Sequence, residues 1–226
     1  MRTVPALSLA LAFFALTGAG QAQAGDVTFT GFAHGSQSVN FTLASPNTAT
    51  SGSAAAGGFA TVLNGGPSFV SYCVDVYQHI AFGTLYPEYT GPGTSHVFSN
   101  ARAYADLGRL YGVAGGVDTS VEEAAFQIAV WEIAYETTPG PYSLASGAAK
   151  FSGGTASSSG ALTLASSWLA GLGGGTGRTI SVLDSAAHQD VIYAPVPEPS
   201  SLALLLAGFA ATAGVSRRVS ARRKSC

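Results

Sequence analysis

The chain has 226 residues, of which 47% are hydrophobic and only 10% charged, with a formal net charge of −2. Its basic residues gather at the two ends: from 25 to 198 only Arg102, Arg109, Lys150 and Arg178 stand against all twelve acidic residues, a formal charge of −8. A body that acidic excludes nucleic acid and anionic lipid as natural partners, because both are bound through clustered cations.

In chain order, Arg2 precedes a mostly apolar run from Leu7 to Leu16, and small residues then close on Ala22-Gln23-Ala24. That is the three-part layout of a secretory signal peptide over 1–24, with Gly25 as the mature start. The run is short and uncapped, so a buried N-terminal helix accounts for it poorly.

From Asp26 to Leu43 apolar residues alternate (Val27, Phe29, then Val39, Phe41, Leu43), which predicts two strands joined near His34-Gly35-Ser36. The Ser/Ala/Gly stretch from Ser45 to Gly58 predicts a mobile loop. Phe69 to Tyr77, rich in aromatic and β-branched residues, follows Asn64-Gly65-Gly66-Pro67 and predicts a strand leaving a turn. Alternation places Val70, Tyr72, Val74 and Val76 on one face. Phe69, Ser71, Cys73 and Asp75 then share a mixed, partly polar one.

Ser99 is placed to cap a helix from Asn100 to about Tyr111, stopped by Gly112 and Gly115-Gly116. Ser120 and Glu123 make the pattern of a capping box opening a second helix, which runs to about Glu136 before Pro139-Gly140-Pro141. That helix is apolar almost all round, the mark of a buried one. Gln127 sits in its middle, and burying a primary amide without partners costs about 1–3 kcal/mol. The amide needs a partner or a role.

Residues 143–177 are dominated by Gly, Ser and Ala, with a short helix expected around Leu162 to Leu169. Thr179 to Leu183 and Asp190 to Tyr193 read as closing strands, and there is no convincing internal repeat. The sum is an α+β domain over 25–194, antiparallel strands with a small helical subdomain between them.

The chain ends with Pro195-Val196-Pro197-Glu198-Pro199, an uncharged stretch from 200 to 216, and then Arg217, Arg218, Arg222, Arg223 and Lys224. About 17 residues only just cross a hydrocarbon core of roughly 30 Å. The basic cluster would stay cytoplasmic, which puts the domain outside. Val196-Pro197-Glu198-Pro199-Ser200, the Ala/Leu/Gly-rich span and the arginine tail resemble the PEP-CTERM sorting signal over 195–226. The resemblance implies processing near Pro197, Glu198 and Pro199 by an exosortase, with transient residence in the inner membrane. It also implies a Gram-negative producer of extracellular polysaccharide.

Cys226 lies in that tail, so Cys73 has no partner for an intramolecular disulfide. A lone cysteine in an oxidising compartment is a liability unless it is buried, paired between chains or chemically employed. One employment is available here: the Cys73 thiolate could displace ammonia from the Gln127 side chain and leave an internal thioester. A free thiol has a pKa of about 8.5, so activation is needed, and proximity makes the attack effectively unimolecular.

Tyr72-Cys73-Val74-Asp75 and Phe126-Gln127-Ile128-Ala129-Val130-Trp131 resemble the paired motifs of bacterial thioester domains, the resemblance covering about 69–136. It implies Cys73 as sulfur donor and leaving group and Gln127 as acyl donor, with Tyr72 and Trp131 shielding the pair and Asp75 and Phe126 in support. It further implies adhesion or cross-linking by single-turnover capture of an amine or hydroxyl on a target protein or polysaccharide, without enzyme turnover or cofactor. The tail departs from the Gram-positive wall anchor such domains carry.

Two other readings use the same residues. A cysteine hydrolase would need His79 or His96 as base. A passive biofilm-matrix component would bind polysaccharide through aromatic side chains and keep Cys73 as a buried hydrophobe. His34, His79, His96 and His188 lack metal-ligand spacing along the chain, which predicts no metal site. Lys150 is the single lysine of the expected domain, so a stored electrophile would meet few amines on sibling copies.

Overall fold

The computed structural model describes residues 24–44, 49–93, 96–195 and 208. The expected leader, the Pro197-Glu198-Pro199 motif and the span over 200–216 lie outside these residues, apart from Ala24 and Gly208. Among the described residues no helix is long and apolar enough to cross a membrane.

The described residues form β1 (Ala24–Phe32), β2 (Gln37–Leu43), β3 (Thr50–Ala56), β4 (Phe59–Leu63), β5 (Phe69–Cys73), β6 (Leu85–Gly93), α1 (Ala103–Ala114) and α2 (Ser120–Tyr135). There follow β7 (Ala149–Ser152), α3 (Gly154–Ser158), α4 (Ala161–Gly171), β8 (Ser181–Asp184) and β9 (Val191–Tyr193). Six strands close a barrel in the order β1-β4-β5-β9-β8-β6, and the other three make a sheet in the order β3-β2-β7. Every pairing is antiparallel. The protein is therefore α+β, and mostly strand. Its helices do not stand apart as a subdomain: α2 packs on α1 and α4 and also touches strands of both sheets.

The two strands expected on either side of His34-Gly35-Ser36 form there and enter different sheets, β1 pairing with β4 and β6 and β2 with β3 and β7. Four expectations are corrected. The stretch expected as a loop contains β3, which pairs along its whole length with β2. Low strand propensity is overridden by this long-range pairing. Gly52 lies opposite Phe41, and a Cβ there would sit 3.1 Å from the ring, so the absent side chain lets the aromatic cover the strand.

The first helix starts at Ala103, with no side-chain cap at Arg102. Asn100 is instead an anchor, donating to the Ile133 carbonyl at 2.8 Å and the Tyr142 hydroxyl at 2.9 Å. Gly112 does not stop that helix. A Cβ there would overlap the Thr176 carbonyl, so this glycine serves close backbone approach, and the helix ends before Gly115, whose φ is 68°.

The capping box of α2 is shifted by one residue from Ser120/Glu123 to Thr119/Glu122. Thr119 Oγ1 accepts from the Glu122 N–H at 3.3 Å, and the Glu122 carboxylate accepts from the Thr119 N–H at 3.0 Å. The chain offers both patterns in register, and burial decides between them: Glu122 stays in solvent, while Glu123 is drawn inside by partners of its own. From Glu123 to Tyr135 all of α2 is buried, as its apolar wheel predicts.

Candidate functional site

α2 presents Glu123, Gln127, Trp131 and Tyr135 at four-residue spacing, which aligns them along one stripe. Glu123 accepts from the Gly58 N–H at 3.0 Å and pairs with His34 Nδ1 at 2.7 Å. Tyr135 Oη accepts from the Val76 N–H at 3.1 Å. The stripe thus holds the start of β4 and the chain leaving β5.

Gln127 grips Cys73 between these two. The Cys73 N–H donates to Gln127 Oε1 at 3.0 Å, and Gln127 Nε2 donates to the Cys73 carbonyl at 2.7 Å. The sheet explains the vacancy that it fills. β4 begins at Phe59, opposite Ser71, so Cys73 has strand β9 on one side, through Val191, and no strand on the other. In antiparallel geometry both main-chain polar groups of a residue point to the same side, and the carboxamide satisfies both.

The thiol is buried, with Cys73 only 1% exposed, rather than on the mixed surface that alternation implies. It donates to the Asp75 carbonyl at 3.0 Å. Burial pushes its pKa up to about 12, against the lowering effects of Trp131 and of the Asp75 backbone contact. Cys73 lines a cleft of about 330 Å³ whose walls include Phe32, Phe41, Phe59, Phe82 and Trp131. No Asp, Glu, Lys or Arg is among its lining residues.

The supporting residues fall into two groups. Trp131 reaches the sulfur side and stacks on Phe151 at 6.2 Å. Tyr72 packs on Phe126 at 4.3 Å and Phe126 on Tyr111 at 4.7 Å, a separate aromatic cluster that does not line the cleft. Asp75 acts through its main-chain carbonyl, while its carboxylate accepts from the Tyr77 N–H at 2.8 Å. Of the two histidines weighed as a base, His79 lines the cleft beside Cys73; His96 is engaged elsewhere.

Residues the sequence did not mark as partners also meet. His96 Nδ1 lies 2.5 Å from Asp184 Oδ1 and 3.5 Å from Asp190 Oδ2, so the fold assembles a group of ligand-type atoms despite their unpromising spacing. Burial, then Asp184, pushes the Asp190 pKa up to about 6. Burial alone would lower that of His96, but the hydrogen bond and charge of Asp184 outweigh it and raise it. Glu132 is fully buried, with Oε1 accepting from the Ser143 N–H at 2.8 Å and Oε2 unpartnered. Acids inside an otherwise apolar helix were the available signal for Glu123 and Glu132. Nothing local signalled the histidine cluster.

Residues 195–224 match the PEP-CTERM protein-sorting motif. The protein is therefore an exported one, processed by an exosortase and membrane-anchored only transiently. No curated protein and no solved structure matches the chain.

Proposed function

We propose that the 25–194 domain is a covalent-capture module of the cell surface or extracellular matrix of a Gram-negative bacterium, used for adhesion or cross-linking. The observation that carries this reading is the double hydrogen bond of the Gln127 carboxamide to Cys73, which holds an acyl group against the main chain of the only described cysteine, beside a cleft lined by no Asp, Glu, Lys or Arg. In the closing step the Cys73 sulfur bonds to the Gln127 side-chain carbonyl carbon, the carbon–nitrogen bond breaks, and the thiol proton leaves with ammonia. In the capture step an amine or hydroxyl attacks the same carbon, the carbon–sulfur bond breaks, and the nucleophile's proton returns to Cys73. Each molecule acts once, with Cys73 as leaving group and Gln127 as the residue left bonded to the target. Proximity is the main driving factor, because the buried thiol has little intrinsic acidity. Lys150 is exposed on β7, and it is the one lysine that sibling copies could present there.

A second reading is favoured by the completeness of the same bonds. Gln127 replaces a missing strand and the thiol is satisfied by Asp75, which is what a passive matrix component with a structural cysteine requires. Intact mass of the mature protein separates the two readings, measured beside Cys73→Ala before and after methylamine. A wild-type mass short by one ammonia, converted by methylamine to an adduct and absent from the variant, is the expected result. A full mass with a titratable thiol would leave the passive reading.

A further inference from the structure

Gln127, Trp131 and Tyr135 face the chain from Cys73 to Val76, and two of the three have evident polar partners there. Trp131 is the exception. Its indole is 3% exposed, yet Nε1 lies buried with no hydrogen-bond partner. An indole N–H can only donate, and a buried donor without an acceptor is rare in a well-packed core. It shares the cleft wall with the Cys73 sulfur, whose negative form it favours. Sulfur is large and diffuse, so an N–H directed at it sits farther away than from oxygen. The thiol's own hydrogen points elsewhere, to the Asp75 carbonyl.

We propose that the Trp131 N–H is the dedicated hydrogen-bond donor to the Cys73 sulfur anion. The consequence for thioester chemistry rests on the reading above, but the assignment of the N–H to the sulfur does not. Sulfur carries negative charge when the thiol loses its proton to attack Gln127, and again when the carbon–sulfur bond breaks on capture. In a cleft lined by no Lys or Arg, Trp131 supplies the stabilisation that water would otherwise give. Asp75 and Asp190 act against the anion; the phenols of Tyr89 and Tyr135 feel its charge, and His79 is the remaining titratable group of the cleft. Trp131 is thus a positioning and electrostatic residue as well as a shield.

The test is alkylation of Cys73 by iodoacetamide across pH in the mature protein and in Trp131→Phe, both pretreated with methylamine. That treatment leaves a free thiol whether or not a thioester had formed, and the mass before it reports on the thioester separately. The expected result is a midpoint shifted to higher pH in the variant and alkylation slowed about tenfold at fixed pH. Superimposable profiles would overturn the proposal. Since Trp131→Phe could loosen the core, a second measurement leaves Trp131 in place: ¹⁵N-indole spectra, in which the protein's two tryptophans, Trp131 and Trp168, are assigned through Trp168→Phe. The Trp131 N–H resonance should move upfield in Cys73→Ala, and an unmoved resonance would equally overturn the assignment.

Discussion

Gln127 occupies the place of a neighbouring strand beside Cys73, taking the Cys73 N–H at 3.0 Å and giving its own N–H to the Cys73 carbonyl at 2.7 Å. One side chain therefore closes the sheet where β4 stops. It also fixes a carboxamide against the main chain of the cysteine.

The structural share of that contact is measurable. Gln127→Ala leaves two buried main-chain groups unpaired, at about 1–3 kcal/mol each, and the expected loss of unfolding free energy in urea is about 2–5 kcal/mol. Cys73→Ala removes only a small buried side chain and should cost about 1 kcal/mol. A Gln127→Ala protein as stable as wild type would mean that the carboxamide does not hold β5.

Glu123 joins α2 to two separate turns, through His34 and the Gly58 N–H. Glu123→Ala should lose about 1–3 kcal/mol, because it strands the buried Gly58 N–H, while the exposed His34 turns to water. Native-state hydrogen exchange at Gly58 should accelerate with it. Unchanged protection there would contradict the assigned bond.

Glu132 makes stability depend on pH. Burial pushes its pKa up to about 7, with the Ser143 N–H opposing and Glu136 reinforcing the rise. A carboxyl that holds its proton more tightly when folded stabilises the fold at low pH. That contribution is lost as pH climbs from the ordinary glutamate range through about 7. Glu132→Gln keeps an acceptor for Ser143 and cannot ionise, so it should gain on the order of 1–3 kcal/mol at pH 8 and flatten the slope between pH 5 and 8. Thermal melts with parallel pH slopes in the two proteins would refute this.

The helix cap separates two adjacent hydroxyls. Thr119→Ala should cost about 1 kcal/mol through loss of the capping box. Ser120→Ala gives up only a 3.2 Å contact with Gln37 and should cost less. The reverse order in chemical denaturation would return the cap to Ser120.

The cleft over Cys73 favours uncharged, apolar-stemmed nucleophiles, since an ammonium entering it would be stripped of water without a carboxylate on the lining to receive it. If the thioester forms, benzylamine should label Gln127 several-fold faster than methylamine at equal free-base concentration, and Phe82→Ala should narrow the difference. Equal rates for both amines would show that the cleft does not select.

What the sequence determined by itself was local or terminal. The mostly apolar α2 with its lone amide, the closing strands and the sorting tail were all legible, because periodicity and short motifs are carried by neighbouring residues. Residue choice within a motif was already less secure, as the one-residue shift of the α2 cap shows. The tertiary structure alone decided that the Ser/Ala/Gly segment is strand β3, because a weak strand former becomes a strand only when β2 lies beside it. It also decided that β1 and β2 part into different sheets, and that His96 meets Asp184 and Asp190 from distant segments. Above all it set Gln127 against the main chain of Cys73: the need for a partner could be read from a buried amide, but the gap it fills exists only where β4 ends and a helix crosses the open edge.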